Sequence, residues 1–324
     1  MKPLFGHDES VAAFGESLAS GRLHHAWLVT GPEGVGKALF AQKAALRVLA
    51  EGAGPPLTLP GLDVPDEHRI ARLFSAGSHP DVIRLERLPR DAAGEVARNI
   101  TIEQVRGLQR LFSTTATFSP WRVVIIDSID HLERPAANAL LKNLEEPPPS
   151  SLFLLVSHAP ERLLPTIRSR CRLLRLSPLP PDAMTSALRA ALPDADEVEI
   201  RDLAKAGEGS PGRAIAFRGL DIAALDAALE TLAQAGDSTN AKRSDLASAL
   251  CLKSAQPRYE AFLARAPSFI VARAKERRGV ALAEALRAWE RASDVASNAV
   301  RLSLEPQSVV FELCGLVASL APRR

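Results

Sequence analysis

A glycine-rich segment at residues 31–37 reads Gly-Pro-Glu-Gly-Val-Gly-Lys and lies between an apolar stretch and a run of strong helix formers. In a P-loop, glycines let successive backbone N–H groups converge on phosphates, and the lysine reaches the β- and γ-phosphates. The next residue is Ala38, where Ser or Thr would hold Mg²⁺. A glycine turn that merely caps a helix is the alternative, and the strand-turn-helix order disfavours it. The candidate nucleotide ligands are Gly31, Gly34, Gly36 and Lys37.

A second candidate group follows an apolar stretch at residues 123–126, which ends in Asp127. A carboxylate at the end of a buried strand after a P-loop is typical of the residue that binds Mg²⁺, directly or through water. ATPases usually place Glu next, to activate the attacking water, but this chain has Ser128, whose hydroxyl is no general base. Asp130 is a possible substitute that would need a different backbone path. The alternative is that Asp127 only ends a strand and caps the next turn.

The third group is the triplet Ser169-Arg170-Cys171, which follows an apolar stretch at residues 152–156. A loop arginine is usually just solvated, so the triplet alone is a weak signal. In this position, however, Arg170 is a candidate arginine finger that reaches the γ-phosphate of a neighbouring subunit. Such fingers contribute about 10³ to 10⁵ in rate.

Composition limits the class of protein. The 324 residues are enough for two or three domains, and the net charge of +2 implies no general attraction to nucleic acid or membranes. The three cysteines have neither metal-binding nor disulfide spacing. Neither an apolar leader nor a membrane-spanning run is present, so we expect a soluble, cytoplasmic protein with no membrane partner.

The elements that must position these residues alternate between strands and helices up to residue 176, which predicts a doubly wound α/β domain. Thr101 and Gln104 have the spacing of a capping box at the start of one of these helices. The predicted strands are residues 25–30, 81–85, 123–126 and 152–156. The predicted helices are residues 38–46, 67–74 and 100–112.

A proline-rich linker at residues 177–182 separates this domain from a region without strand signals. Short helices are predicted at residues 182–192, 198–206 and 211–217. Farther on, Leu282, Leu286 and Trp289 share one helical face, and a final amphipathic helix carries the apolar residues Val309, Val310, Leu313, Leu316, Val317 and Leu320. Core packing is the favoured interpretation of these faces, and oligomerisation is the alternative.

The motifs together resemble the clamp-loader branch of the AAA+ ATPases, over essentially the whole chain. The resemblance rests on the P-loop, the Ala-Leu-Leu-Lys-Asn-Leu-Glu-Glu-Pro-Pro stretch at residues 139–148 and the Ser-Arg-Cys triplet. It implies an AAA+ P-loop domain at residues 1–176, a three-helix lid at 177–218 and an all-α collar at 219–324.

In that family, motor subunits use ATP to open the sliding clamp and place it on primed DNA. The resemblance implies a hetero-pentamer with gamma/tau motor subunits and a delta subunit, within the DNA-directed DNA polymerase III holoenzyme. Arg170 matches the finger that acts in trans. Basic residues such as Arg106 or Arg110 would face primer-template DNA, although simple solvation is the favoured interpretation for both.

This chain departs from the motor pattern at Ala38, at Ser128 and at Gly212, which replaces the lid arginine that senses nucleotide. Arg213 is adjacent but turned by about 100° around a helix. Ser157, at a strand end, would either bond a phosphate or be satisfied by backbone. We therefore expect a stator subunit that needs no cofactor and does not hydrolyse ATP, with ATP binding left open. A self-sufficient ATPase using Lys37 and Asp127, either a motor subunit or a helicase-like AAA+ protein, is the alternative.

Many relatives bind zinc through four cysteines between the P-loop and the second strand. Residues 50–80 contain no cysteine, so no zinc or other metal site is expected.

Overall fold

The computed structural model describes residues 1–90 and 96–322, with the backbone alone at residues 300 and 301. The chain divides into two compact units, Met1–Ala214 and Ile215–Arg324. The strands of the described residues all lie in the first unit. This division does not test the boundaries at residues 176 and 218, because the lid falls mainly within the first unit. The three-part organisation stays a prediction.

The first unit contains a five-stranded sheet with helices on both faces. The strands are β1 (Ala26–Thr30), β2 (Val82–Glu86), β3 (Arg122–Asp127), β4 (Ser151–Ser157) and β5 (Arg172–Arg175). The helices that begin in this unit are α1 (Asp8–Ala19), α2 (Lys37–Ala53), α3 (Arg69–Ser75), α4 (Ile102–Arg106), α5 (Leu108–Ser113), α6 (Arg134–Glu145), α7 (Pro165–Arg168), α8 (Pro181–Ala191), α9 (Glu197–Gly207) and α10 (Pro211–Ala216). Short 3₁₀ helices span Ile129–His131 and Pro160–Arg162.

The sheet order is β2-β3-β4-β1-β5, and all neighbouring pairs are parallel. The register pairs Thr30 of β1 with Ser157 of β4, and Asp127 of β3 with Val156 of β4. The carboxyl ends of β1, β4 and β3 therefore meet at one edge, which is where ligands bind in open α/β sheets. Because β4 lies between β1 and β3, residues at its end lie between the P-loop and Asp127.

Strands β1 and β4 are buried along their whole length, as parallel strands covered on both faces must be. One face packs on a core that includes Leu140, Leu144 and Ile167 from α6 and α7. On the other face, the Trp27 ring lies 5.0 Å from that of Phe14, and the side chains of α2 cover β1, β3 and β4. Alternation of side chains along β1 directs neighbouring residues to opposite cores.

Most predicted elements are present, but helices α1 and α6 and strand β5 were not predicted, and one predicted helix is divided. The helix predicted over residues 100–112 is two helices, α4 and α5, which meet at Gly107, a residue with low helix propensity. The capping box of Thr101 and Gln104 is confirmed. Strand β5 was not predicted, because Leu174 is its one buried residue and an edge strand with so little burial leaves no apolar pattern.

The second unit is helical in its described residues. Its helices are α11 (Ile222–Ala235), α12 (Ala241–Leu250), α13 (Gln256–Ala274), α14 (Gly279–Arg301) and α15 (Pro306–Ala318), with a 3₁₀ turn at Lys253–Ala255. The core face predicted for α15 is confirmed, with Val309, Val310, Leu313 and Val317 buried. None of the described helices is long and apolar enough to cross a membrane.

The core face predicted for α14 is wrong at Leu286, which is 40 % exposed. Leu282 and Trp289 are half-buried. The buried side of α14 consists of Ala285, Ala288, Ala292 and Ala299. Small side chains form the packed side of this helix, so its larger apolar side chains lie beside the contact rather than in it.

Candidate nucleotide site and arginine finger

The P-loop runs from the end of β1 to the first residue of α2, so the structure brings the predicted nucleotide ligands together in one turn. Gly31, Gly34 and Gly36 have φ angles of 143°, 76° and 112°, a region that favours glycine. A Cβ atom at Gly31 would lie 2.2 Å from the Leu176 carbonyl oxygen. The loop therefore has the glycine-dependent backbone that its sequence indicated.

Lys37 is turned onto its own loop. Its Nζ donates hydrogen bonds to the carbonyl oxygens of Gly31 and Pro32, both at 2.7 Å, and the residue is 2 % exposed. Burial lowers the pKa of Lys37 to about 8, against the opposing charges of Glu33, Asp130 and Asp127. The ammonium group is satisfied by backbone carbonyls in the position from which a P-loop lysine reaches phosphates.

Helix α10 begins directly against the P-loop. The backbone N–H of Gly212 donates to the carbonyl oxygen of Gly34 at 2.8 Å. A Cβ atom at Gly34 would lie 2.6 Å from the backbone nitrogen of Arg213, and one at Gly212 would lie 2.8 Å from the Cα of Gly34. At the position where a lid arginine was expected, Gly212 thus makes a backbone contact with Gly34. The Arg213 guanidinium is 3.4 Å from the Glu208 carboxylate, so it does not replace that arginine at the loop.

The carboxylate of Asp130 joins the ends of β3 and β4. Ser128 Oγ and Ser157 Oγ each donate to it at 2.8 Å, and the backbone N–H groups of His158 and Ala159 donate at 2.6 and 3.3 Å. Burial opposes ionisation, yet these four hydrogen bonds hold the pKa of Asp130 below its ordinary value. Asp130 is therefore a structural anion, poorly suited to replace a catalytic glutamate as a proton acceptor.

Ser157 therefore donates its hydroxyl hydrogen to a carboxylate side chain. A phosphate or a backbone group was the partner expected from the sequence. Asp127 lies half-buried at the end of β3. In the described part of the chain its side chain has no hydrogen bond or ion pair. Among the described residues, the Asp127 carboxylate is therefore not committed to a partner.

Two histidines near the P-loop were missed by the sequence reasoning. His7 Nε2 lies 3.0 Å from the carbonyl oxygen of Val35, and burial lowers its pKa. His158 follows Ser157, and burial together with the charge of Lys37 lowers its pKa. Since no motif surrounds either histidine, only the fold shows their proximity to the loop.

Arg170 lies just beyond α7, and its guanidinium contacts α6 and α7 rather than the P-loop. Its Nη2 is 2.9 Å from Glu145 Oε1, and its Nη1 donates to the Thr166 carbonyl oxygen at 2.9 Å. The Arg170 side chain is 35 % exposed. The charge is thus presented at the surface but held in a defined orientation.

A cavity of about 830 Å³ lies between the start of the P-loop and α7. Its lining includes Gly31, Pro32, His158, Arg168, Ser169 and Arg175. Arg170 is not among the lining residues. Arg168 and Arg170 therefore differ, because Arg168 lines this cavity and Arg170 does not.

A parallel sheet with a P-loop after β1, a carboxylate at the end of β3 and a helical segment docked on the loop define a P-loop protein of the AAA+ type. The model of the family described as DNA polymerase III, delta subunit, matches residues 6–180. The chain belongs to this family.

Two delta′ relatives agree with this assignment. The DNA polymerase III subunit delta′ of Pseudomonas aeruginosa is 36 % identical over 188 residues, which covers 58 % of this chain and 53 % of the relative. The delta′ subunit of Escherichia coli is 32 % identical over 225 residues, which covers 67 % and 61 %. The matches thus span between half and two thirds of each relative. A gamma subunit-related protein from Thermotoga maritima is similar in structure with a TM-score of 0.40 and 15 % identity, covering 96 % of this chain and 99 % of that one.

Proposed function

We propose that this chain is the delta′-type stator of a DNA polymerase III clamp loader, which does not hydrolyse ATP itself and donates Arg170 to the nucleotide site of a neighbouring motor subunit. The observation that carries the proposal is the placement of Arg170. Its side chain is partly exposed, contacts two partners through the guanidinium and does not line the cavity beside its own P-loop. A finger that acts in trans needs this arrangement, because the phosphate it stabilises belongs to another subunit.

The chain's own nucleotide site supports the non-hydrolysing part of the proposal. Ala38 lacks the Mg²⁺-binding hydroxyl, and Ser128 donates its proton to Asp130 instead of activating water. Gly212 supplies a backbone contact where a guanidinium would sense nucleotide. Three separate parts of the phosphoryl-transfer machinery are therefore absent. In this proposal the P-loop is a retained scaffold, and neither ATP nor zinc is required.

The proposed partners are gamma/tau motor subunits and a delta subunit, with the sliding clamp and primer-template DNA contacted through the complex. Leu286 and Trp289 support a subunit contact on α14, since both are apolar and not fully buried. Arg106 and Arg110 are exposed on α4 and α5, where they are available to a DNA backbone. The proposed location is the cytoplasm, where replication takes place in bacteria.

ATP hydrolysis by the isolated chain tests the proposal directly. We expect its turnover to equal that of a Lys37→Ala variant, since the remaining P-loop and Asp127 lack the groups that activate water. Steady-state phosphate release with excess Mg²⁺ and ATP is the measurement. Turnover that disappears in Lys37→Ala would identify the chain as a motor-type ATPase and refute the stator role.

Nucleotide titration of the isolated chain then tests whether the P-loop is a closed scaffold, meaning one that does not bind ATP, or binds ATP without hydrolysing it. We expect no saturable binding of ATP, since the Lys37 ammonium group is bonded to its own loop and the start of α10 packs directly against Gly34. Saturable binding without turnover would keep the stator role but reject the closed scaffold.

A further inference from the structure

The contact between Arg170 and Glu145 joins two motifs that are separate in the sequence. Glu145 is the last residue of α6, in the Leu-Glu-Glu-Pro-Pro stretch, and its Oε1 forms an ion pair with Arg170 Nη2 at 2.9 Å. On the other side of the guanidinium, Nη1 donates to the Thr166 carbonyl oxygen at 2.9 Å and lies 3.4 Å from Ser169 Oγ. The guanidinium is therefore held from both ends.

The fold defines this contact through buried neighbours. Residues 147–149 are prolines, which cannot continue a helix, so α6 ends at Glu145. Leu144, one residue earlier, and Ile167 of α7 are each 1 % exposed in the same core. Because that core anchors both helices, Glu145 and Arg170 meet in a geometry that their own flexible side chains would not determine.

The pair is poorly suited to a purely stabilising role. The side chains are 35 % and 47 % exposed, and exposed ion pairs contribute little to folding. A carboxylate at the last residue of a helix also faces the negative end of the helix dipole. Glu146, the next residue, is exposed as well and makes no ion pair in the described part of the chain. Of two adjacent carboxylates, only Glu145 is directed to the candidate finger.

We propose that Glu145 is a positioning residue for Arg170, which orients the guanidinium toward the phosphate of the neighbouring subunit. This proposal rests on the trans-acting role of Arg170 given above. A guanidinium has five N–H donors, and the contacts to Glu145, Thr166 and Ser169 use only part of them. Glu145 therefore does not have to leave when Arg170 meets a phosphate. Glu145 keeps the Arg170 side chain in one rotamer before the neighbouring nucleotide site is completed. Less side-chain entropy is therefore lost when the guanidinium meets the transition state.

The test uses the complete clamp loader, reconstituted from this chain and its motor and delta partners. Glu145→Ala is expected to lower kcat for ATP hydrolysis about tenfold at the site served by Arg170, with little change in the KM for ATP. The reason is that a finger acts mainly on the transition state. Glu145→Gln keeps an acceptor oxygen of the same length and should restore most of the rate. Glu146→Ala is the matched control and should behave like the wild type.

A double-mutant cycle separates positioning from general damage. If Glu145 acts through Arg170, Glu145→Ala adds no further loss to Arg170→Ala. Additive losses, or a complex that fails to assemble in Glu145→Ala, would overturn the positioning role. A higher rate in Glu145→Ala would also overturn it, because it would show that Glu145 restrains the finger.

The same series distinguishes this inference from the proposed function. If Arg170→Ala leaves hydrolysis unchanged, the trans-acting finger itself is wrong. If Arg170→Ala lowers the rate while Glu145→Ala does not, only the positioning role is wrong.

Discussion

The P-loop and the Ser169-Arg170-Cys171 triplet lie in the same unit, but their charged residues have opposite surroundings. Lys37 is 2 % exposed and bonded to the carbonyl groups of its own loop, whereas the Arg170 side chain is 35 % exposed and held by a carboxylate. The first charge is satisfied internally, and the second is available to another molecule. Under the proposed function, the P-loop keeps its residues without its chemistry, and Arg170 is the group that acts on another subunit.

The largest expected effect concerns Arg170. Arg170→Ala should lower hydrolysis at the nucleotide site it serves by about 10³-fold, because an arginine finger stabilises charge in the transition state. Single-turnover hydrolysis by the reconstituted complex is the measurement. Arg168→Ala, which removes a cavity-facing arginine from the same segment, is the control and should have a much smaller effect.

Size-exclusion chromatography must show that both arginine variants still assemble. If Arg168→Ala and Arg170→Ala reduced the rate equally, the specific role of Arg170 as the finger would be refuted.

A smaller effect is expected when the glycine contact over the P-loop is disturbed. Gly212→Ala places a Cβ atom 2.8 Å from the Cα of Gly34, and we expect it to lower the free energy of unfolding by about 1–3 kcal/mol. Denaturant unfolding monitored for the first unit is the measurement. Gly15→Ala is the matched control, since nothing lies within 4 Å of its added carbon and it is in a helix. That change should be neutral or slightly stabilising.

Equal effects of the two glycine substitutions would show that α10 is not firmly docked on the loop. The closed P-loop would then lose its structural support, while the role of Arg170 would be unaffected.

The smallest expected effect is the pH dependence of stability that comes from Lys37. Its pKa is lowered from 10.5 to about 8 in the folded chain, so between these values the unfolded chain binds more protons. The contribution of Lys37 to the free energy of unfolding should therefore rise with pH from about 8 to 10.5, against the fall caused above pH 9 by Cys171 and Cys314, whose thiol pKa values are raised by burial. The rise should be absent in Lys37→Met. Unfolding curves at several pH values compare the two proteins.

An identical pH profile in Lys37→Met would mean that another group causes the rise. The internal satisfaction of the P-loop charge would then need a different explanation.

The sequence predicted where the candidate residues lie better than it predicted the elements around them. The P-loop, the strand that ends in Asp127 and the Ser-Arg-Cys triplet are all local patterns, and each lies on the element that its spacing indicated. Strand β5 was missed because an edge strand with one buried residue has no pattern. Leu286 was misassigned because helical periodicity identifies an apolar face without showing what covers it.

The amino-acid sequence by itself determined which chemical groups are present and which are missing: glycines and a lysine for phosphate, no hydroxyl at Ala38, no glutamate at Ser128, and an arginine at 170. The tertiary structure decided what those groups contact. The order β3-β4-β1 brings Asp130 to Ser157, docking of α10 sets Gly212 on Gly34, and a shared core brings Glu145 to Arg170. These contacts join residues far apart in the chain. Local propensity does not encode them, because they depend on how the elements pack.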